Sequence, residues 1–532
     1  MKELLLTLGH NSSAILVEGG RVVAGYEEER LSGVKSDSRF PAKAIARLLG
    51  DERPSSIYCT HWDPTADFTN LSGKYWNPEY ADGTPVRSHL DNTHHDTHAY
   101  AGACFAGPDF PLHNTFIMVV DGFGNFGEHF SLYRYDAGQG LTLVFRGRGY
   151  DTSLGLMYQY ATAFMGLKMH EDEYKLLGYE VHVESAHAER LHEMATHTSR
   201  LWADHAELVS LGSMYDPIFN LAALSATREK LFQHFATVLE AVGKTDPTAF
   251  DSRCALAYYV QQVLEQCVLT IVGRFPIQNL ILSGGCFYNV KLNRILLSII
   301  PGRVCVYPLA GDQGNALGLY AMDHLRFEFP HDLFWGVRNL KNVGNVDGLE
   351  YIQGDELASK CAARLESPGY VNIVRGAMEF GPRALCNTST LSRPWPHMVQ
   401  VINEANNRDT VMPMAPVMTR AQWKRAFEHT DKVWMSERYM IMAMEYSDTP
   451  NDLLGAAHYY NYIFGPPHYT GRPQVIDDAD PLAQLIAETG PLINTSFNYH
   501  GKPIAFEMDT IIENHRLQHT QNPHFQTLVV VN

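Results

Sequence analysis

What this chain lacks narrows its class first. Crossing a bilayer takes about 20 consecutive apolar residues in a helix, and no run of that kind occurs in the 532 residues. Met1-Lys2-Glu3 leads into a short strand-like run rather than the long apolar stretch of a secretory signal, so no membrane partner is expected. The 8 cysteines form no CxxC pair and no small-scaffold spacing. That pattern excludes a disulfide framework and leads to reduced thiols and a cytoplasmic location as expectations. Long blocks of one charge sign are also missing. The net charge of −17 is spread over the chain, which favours solubility and argues against tight nucleic-acid binding through bulk charge, while leaving a local basic groove open. No internal repeat or low-complexity tract is visible. The length exceeds what one hydrophobic core organises, so at least two domains are expected.

Four residues then stand out: His94, His98, Asp121 and Asp312. In the run Thr93-His94-His95-Asp96-Thr97-His98, a helix places His94 and His98 one turn apart on one face. Asp121 follows the apolar run Phe116-Ile117-Met118-Val119-Val120, so it sits where a buried strand ends in the glycine-rich turn Asp121-Gly122-Phe123-Gly124. Asp312 lies in a second such turn, Gly311-Asp312-Gln313-Gly314, after Val304-Cys305-Val306-Tyr307. The histidine pair alone also reads as a polar helix face. With the two aspartates it reads as a metal site, and two imidazoles with two carboxylates suit Fe2+, Zn2+ or Mn2+ better than Mg2+ or Ca2+.

The N-terminal residues alternate as strands: Leu4 to Leu8, the turn Gly9-His10-Asn11, Ser13 to Val17, then Gly19-Gly20 and Arg21 to Tyr26. Gly-Gly between two such runs predicts a hairpin, and the polar turn before it leaves backbone N–H groups free to face a phosphate. This opening resembles the actin-like ATPase fold. A mainly helical middle is expected from Ser153 to Arg274. Leu280-Ile281-Leu282-Ser283-Gly284-Gly285 then reads as a strand entering a glycine turn, with a helix from Asn289 to Ile300. Such a junction exposes N–H donors to a nucleotide, although a tight turn needing glycine for positive φ explains the pair equally. From Asn339 to Gln353 periodicity is lost, and a new amphipathic helix starts at Glu356. A domain boundary is therefore expected at Gly348, dividing the chain into residues 1–347 and 348–532.

The second part carries Glu379-Phe380-Gly381-Pro382-Arg383-Ala384-Leu385, Asn494-Thr495-Ser496-Phe497-Asn498 and Gly501-Lys502-Pro503. Arg383 offers a planar fork for phosphate or carbamoyl oxygens, and Ser496 and Asn498 add neutral donors. Arg408 and Arg472 are further cationic candidates. Singly, each reads as a surface arginine or loop asparagine; together they outline an anion pocket.

In this order, Gly9-His10, Glu27-Glu28-Glu29-Arg30, His94-His95-x-x-His98-Ala99, Asp121-Gly122, Glu173-Tyr174-Lys175-Leu176-Leu177-Gly178, Ser283-Gly284-Gly285, Gly311-Asp312-x-Gly314, Glu379 to Leu385 and Asn494 to Asn498 resemble the O-carbamoyltransferase family, which includes the nodulation-factor, cephamycin and tobramycin enzymes. The resemblance covers nearly the whole chain. It implies an α/β protein with an N-terminal actin-like domain related to the tRNA threonylcarbamoyl transferases and a C-terminal YrdC-like α/β domain. Carbamoyl phosphate and ATP with Mg2+ would give carbamoyl-adenylate in the second domain, and the first would pass the carbamoyl group to a hydroxyl. The resemblance carries the metal ligands to His94, His98, Asp121 and Asp312, with Fe2+ the first expectation. It carries nucleotide contacts to Gly284, Gly285 and Asn289, and catalytic roles to Lys175, Arg383 and Ser496. His10, in the N-terminal turn, is the candidate general base, or else only braces that turn.

Several positions depart from the family pattern. Ala377 follows Gly376 where members carry arginine, Cys386 replaces a glycine, Thr388 an arginine, and Met412-Pro413-Met414-Ala415-Pro416 replaces Arg-Pro-Phe-Ala-Pro. Arg375, Arg408 and Arg472 are the cations available to compensate. For the acceptor, Trp62, Phe68, Tyr75, Trp76 and Tyr80, interleaved with Lys74 and Arg87, suggest a platform on which a base would stack. Phage-encoded members of the family imply 5-hydroxymethylcytosine in DNA, which would have to be flipped or single-stranded. An antibiotic or sugar hydroxyl is the alternative, a tRNA-modifying relative is a further one, and a non-catalytic nucleotide- and metal-binding scaffold is the last. A homodimer is a further possibility that the sequence leaves open.

Overall fold

The computed structural model describes residues 1–9, 11–60, 84–88, 93–136, 140–205, 221–324, 327–408, 414–460 and 468–531. The chain begins with β1 (Lys2–Thr7), β2 (Ser13–Glu18) and β3 (Arg21–Glu27), followed by β4 (Ser56–Thr60) and β5 (Val86–Ser88). Gly19 and Gly20 have φ of 57° and 78°, the left-handed pair that a tight two-residue hairpin requires. β1 is central: Leu4, Leu5 and Leu6 are all fully buried, as in a strand covered on both faces. The sheet order is β3-β2-β1-β4-β5, with β1 antiparallel to β2 and parallel to β4.

A second sheet repeats this plan. It is built from β6 (Thr115–Val120), β7 (Glu128–Asp136), β8 (Gly140–Arg148), β9 (Asn279–Ser283) and β10 (Val304–Val306) in the order β8-β7-β6-β9-β10. β6 is antiparallel to β7 and parallel to β9. Two sheets with the same order and directions form an internal duplication that no sequence repeat announces. The helix Asn315–Asp323 packs on β1 and β4, and the helix His94–Ala106 packs on β6 and β9 and against the first helix, so the helix pair joins the sheets. The helical middle comprises Leu154–Phe164, Ser185–His205, Leu221–Glu240 and Phe250–Val272, between β8 and β9, within the span read from the sequence. No helix among the described residues is long and apolar enough to cross a membrane. All eight cysteines are free.

Beyond β10 follow β11 (Phe334–Gly336), β12 (Leu349–Ile352), β13 (Tyr370–Val374), β14 (Met378–Glu379), β15 (Thr388–Ser392), β16 (Ala415–Met418), β17 (Met444–Glu445), β18 (His458–Tyr460), β19 (His468–Gly471), β20 (Gln474–Val475), β21 (Leu492–Ser496) and β22 (Thr527–Val530). Seven of these form one mixed sheet, β12-β22-β13-β15-β21-β16-β20, which starts one residue after Gly348. β11 pairs with β14 across the two parts. The chain also returns to the first part later: Asn293 Nδ2 donates to Ile441 O at 2.7 Å and Val306 N to Ser436 Oγ at 2.7 Å. Trp423, Phe427, Val433 and Met440 accordingly belong to the same buried cluster as β6 and β9.

Candidate active site

The helix His94–Ala106 is held at its N-terminus with unusual completeness. Thr93 and Asp96 form a reciprocal capping box, the His94 N–H donates to Asn125 Oδ1 at 2.8 Å, and the His95 N–H donates to Glu128 Oε1 at 3.0 Å. The fully buried Glu128 is paired with Arg146 at 3.1 Å. Satisfying the first N–H groups of a helix in this way fixes its axis and register. Asp121 directly follows β6; its N–H donates to His129 O at 3.0 Å, and its Oδ1 accepts the Gly122 N–H at 2.7 Å. Asp312 follows β10 and precedes the helix Asn315–Asp323, and that helix approaches closely because residue 318 is glycine. A Cβ there would lie 1.8 Å from the carbonyl oxygen of Thr97.

These elements bring all four sequence-predicted ligands together. Their donor atoms lie within 4.8 Å of one another. His94 Nε2 is 3.2 Å from His98 Nε2, 3.3 Å from Asp121 Oδ2 and 3.3 Å from Asp312 Oδ1; His98 Nε2 is 3.0 Å from Asp121 Oδ2 and 3.5 Å from Asp312 Oδ1. Tetrahedral ligands bound at roughly 2.0–2.1 Å stand about 3.3 Å apart, so the cluster has the dimensions of a ligand shell for one divalent cation. Its electrostatics agree. Burial works against a charge on His94, but Asp312 and Asp121 outweigh it and raise the imidazole to about 10. Burial likewise opposes charge on Asp121, and hydrogen bonds from His94 and His98 outweigh it, holding that carboxylate well below its usual range. His95 differs: it bonds Ser131 Oγ at 2.9 Å, and burial, followed by the charge of His94, keeps it neutral.

Gly284 and Gly285 line the same turn. Gly284 has φ +100° and a Cβ there would lie 2.4 Å from Val120 O, while a Cβ on Gly285 would lie 3.0 Å from Asp121 Oδ1. Both glycines thus let the end of β9 pass beside Asp121. Asn289 caps the helix Val290–Ile299, accepting the Leu292 N–H at 3.0 Å, and donates to Gln261 Oε1 at 2.8 Å. It is half of a buried amide pair as well as a candidate nucleotide contact.

The second cluster lies where the two parts of the chain meet. Glu379 Oε1 accepts the N–H groups of Leu385, Asn387 and Thr388 at 2.8–3.0 Å and so shapes the loop that bears Arg383. The far side of that loop is clamped by the N-terminal part: Arg30 Nη2 donates to Gly381 O at 2.7 Å, and Glu27 Oε2 accepts the Gly381 N–H at 3.1 Å. Arg383 lies 5.9 Å from the centre of the Tyr288 ring. Burial pushes the guanidinium of Arg383 down, as it does that of Arg472, which also feels the charge of Arg383. No carboxylate among the described residues pairs with either one. Burial pushes Arg408 down to about 10. Arg408 braces the end of β21, donating to Thr495 Oγ1, Ser496 Oγ and Asn498 Oδ1 at 2.8, 3.0 and 2.7 Å. Ser496 and Asn498 are therefore held by Arg408 as well as being available to a ligand. Lys175 is buried, 3.0 Å from Asp172, and with Lys35 and Arg408 it lowers the basicity of His500 beyond the effect of burial.

Three further outcomes concern the departures from the family pattern. Arg375 does not compensate for the missing cations, because it is buried in a 2.6 Å ion pair with Asp480 and also donates to Cys386 O at 2.7 Å. Cys386 keeps the left-handed backbone of the glycine that it replaces, with φ 75°. At Thr388 a guanidinium is still present, since the buried Arg338 donates to its hydroxyl. Sequence reading missed Lys35, Tyr288 and His500 and quoted Tyr174 only as part of a family motif; none lay within an anion-binding pattern, and only folding brings them near Arg383, Arg408 and Lys175. His10 and the aromatic residues Trp62 to Tyr80 with Lys74 lie outside the described residues. Arg87 is described, and it pairs with Asp323 at 3.0 Å.

Comparison with known proteins completes the picture. The family profile "Carbamoyltransferase N-terminus" matches residues 82–321 and "Carbamoyltransferase C-terminus" matches residues 362–530. Nodulation protein NolNO of Sinorhizobium fredii is 25% identical over 94% of this chain and 75% of its own length. The 3'-hydroxymethylcephem-O-carbamoyltransferase of Amycolatopsis lactamdurans is 27% identical over 44% of this chain and 45% of its own. Among solved structures, the activator of 2-hydroxyisocaproyl-CoA dehydratase from Clostridium difficile aligns with a TM-score of 0.33 at 14% identity, over 65% of this chain and 100% of that one, too distant to bear on function. Both halves of one family profile match in order, and the chain belongs to the carbamoyltransferase family.

Proposed function

We propose that this carbamoyltransferase works in two stages. Residues 348–532, as a YrdC-like domain, would bind carbamoyl phosphate and ATP with Mg2+; water would cleave carbamoyl phosphate to carbamate and phosphate, and a carbamate oxygen would then displace pyrophosphate from the α-phosphorus of ATP to give carbamoyl-adenylate. Residues 1–347, as an actin-like domain, would transfer the carbamoyl group to an acceptor hydroxyl and release AMP. The observation that carries this reading is the pair of unlike clusters: Arg383 and Arg472, half-buried and with no carboxylate partner among the described residues, and the compact quartet His94, His98, Asp121 and Asp312. A partly desolvated guanidinium without a counter-charge is stabilised when an anion joins it, Arg383 Nε has no hydrogen-bond partner among the described residues, and a planar fork suits phosphate oxygens. Lys175, with Lys35, extends the positive field toward β21.

The quartet would hold a divalent cation, Fe2+ before Zn2+ or Mn2+, which when bound supplies a positive charge for the nucleotide phosphate and polarises nearby oxygen. Around it this chain's residues orient and exclude water. Asp121 directly follows β6 and Asp312 lies in the turn between β10 and the helix Asn315–Asp323, and Gly284 and Gly285 bring the backbone at the end of β9 beside Asp121, where its N–H groups would face a nucleotide. His10, which follows β1 and precedes β2 in the sequence, would take the proton of the acceptor hydroxyl.

For the acceptor, a hydroxymethyl group on a heterocycle fits best, with 5-hydroxymethylcytosine in DNA the leading candidate and a small-molecule hydroxyl the alternative. The first is supported by the aromatic run Trp62 to Tyr80, the second by the pairing of Arg87 with Asp323, which takes one cation away from a DNA backbone. Carbamoyl-phosphate-dependent ATP–pyrophosphate exchange tests the first stage. Arg383→Ala should abolish exchange, while synthetic carbamoyl-adenylate should restore product. Exchange at the wild-type rate in that variant would refute the pocket. Mass spectrometry of hydroxymethylated DNA and hydroxymethyl heterocycles, read for a carbamoyl mass gain, decides between the acceptors.

A further inference from the structure

The two histidines of the quartet differ on their far sides. An imidazole that gives its Nε2 lone pair to a cation must carry its proton on Nδ1, and the partner of that N–H must be an acceptor. His98 Nδ1 is buried with no hydrogen-bond partner among the described residues. His94 Nδ1 lies 3.4 Å from the side-chain amide nitrogen of Asn315, the first residue of the helix Asn315–Asp323 and itself fully buried. The same nitrogen is 3.2 Å from His98 Nε2 and donates to Asp312 Oδ1 at 3.4 Å, a bond that a divalent cation held by Asp312 would replace, while the amide oxygen has no hydrogen-bond partner among the described residues.

Half a turn about the Cβ–Cγ bond exchanges the two amide atoms with almost no change of shape. With nitrogen inward, the amide donates to His94 Nδ1, which places the imidazole proton on Nε2 and blocks the ligand atom. It also points an N–H dipole at the place where a cation would sit. With oxygen inward, both conflicts vanish, because the oxygen accepts the Nδ1–H and presents its negative end to the cation.

We propose that Asn315 is a positioning residue of the metal centre: its carboxamide oxygen turns inward to accept the His94 Nδ1–H, fixing the tautomer that binds a divalent cation through Nε2. This rests on the metal reading of the quartet given above. Asn315 then acts through His94 rather than on substrate, and it makes His94 the better-oriented ligand of the two histidines.

The test uses the full-length protein with Zn2+ or Co2+ alone. Asn315→Leu keeps the volume and removes the acceptor, and Asn315→Asp keeps an acceptor. Loss of an outer partner of a ligating histidine typically weakens metal binding by about 10–100-fold; that loss is expected for Asn315→Leu, with none for Asn315→Asp. With Co2+ bound, the exchangeable Nδ1–H resonance of His94 should shift in Asn315→Leu and that of His98 should not. Wild-type affinity with an unmoved resonance in folded Asn315→Leu overturns the proposal. So does a loss of about 10–100-fold in folded Asn315→Asp, the size expected for a lost outer partner, which decides the matter even if the leucine variant fails to fold. His98→Ala tests the underlying reading separately: full metal binding in that variant overturns the shared site itself, whatever Asn315 does.

Discussion

Replacing Gly318 by alanine should damage the proposed metal site without touching any of its four side chains. The added Cβ would lie 1.8 Å from Thr97 O, whereas Cβ atoms essentially never come nearer than 3.0 Å, so the two helices must part by about 1.2 Å. The obstacle is backbone, which cannot swing aside as a side chain would. His94 and His98 ride on one helix and Asp312 stands in the short turn that leads into the other, so the separation falls on the His–Asp312 distances, now 3.3 and 3.5 Å. Edges widened by a large part of that shift exceed the about 3.3 Å expected for a four-ligand shell. Overpacking of this kind costs roughly 1–3 kcal/mol, small enough for the fold to survive. Metal titration of the folded variant, with circular dichroism to confirm the fold, should show affinity lowered by at least the factor expected for a lost ligand partner, about 10–100-fold. Wild-type affinity in a folded Gly318→Ala protein would show that the helix contact does not set the cluster's geometry.

Two other consequences follow from the electrostatics. In the metal-free protein the carboxylates, against the pull of burial, raise His94 from 6.5 to about 10, so its proton stabilises that state fully below the unfolded value, and the contribution is lost as pH rises through the folded one. At pH 8 a divalent cation must displace that proton, so adding metal to weakly buffered protein should release about one proton per site and affinity should fall as pH is lowered; saturation with no proton release refutes this. In the clamp on Gly381, the side chains of Arg30 and Glu27 are 4% and 5% exposed, and removing one partner of a buried pair costs about 3–5 kcal/mol. Arg30→Met should lower the melting temperature and abolish pyrophosphate exchange, and adding Glu27→Gln should recover part of the stability; a folded Arg30→Met variant with normal exchange refutes the clamp's role in presenting Arg383.

Much of this protein was legible before folding. Alternation and Gly19-Gly20 predicted the opening hairpin, because side-chain period and positive φ are local properties. The i, i+4 histidines and the aspartates in glycine turns predicted a quartet, because helix geometry and strand ends place such residues whatever their distance along the chain. Other features were not local. The spacing to His98 chose His94 over His95, but only the fold shows what occupies the second imidazole, the hydroxyl of Ser131. It hides the duplication of the two sheets, since topology survives after sequence similarity has gone. It offered Arg375 as a spare cation, and only the ion pair with Asp480 removes it. Glycine at 318 carries no local signal, yet the helix approach depends on it. Burial and charge pairing are properties of the whole packed interior: a local pattern can nominate a residue, but the neighbours it meets across hundreds of positions decide whether it binds, braces or is merely filled in.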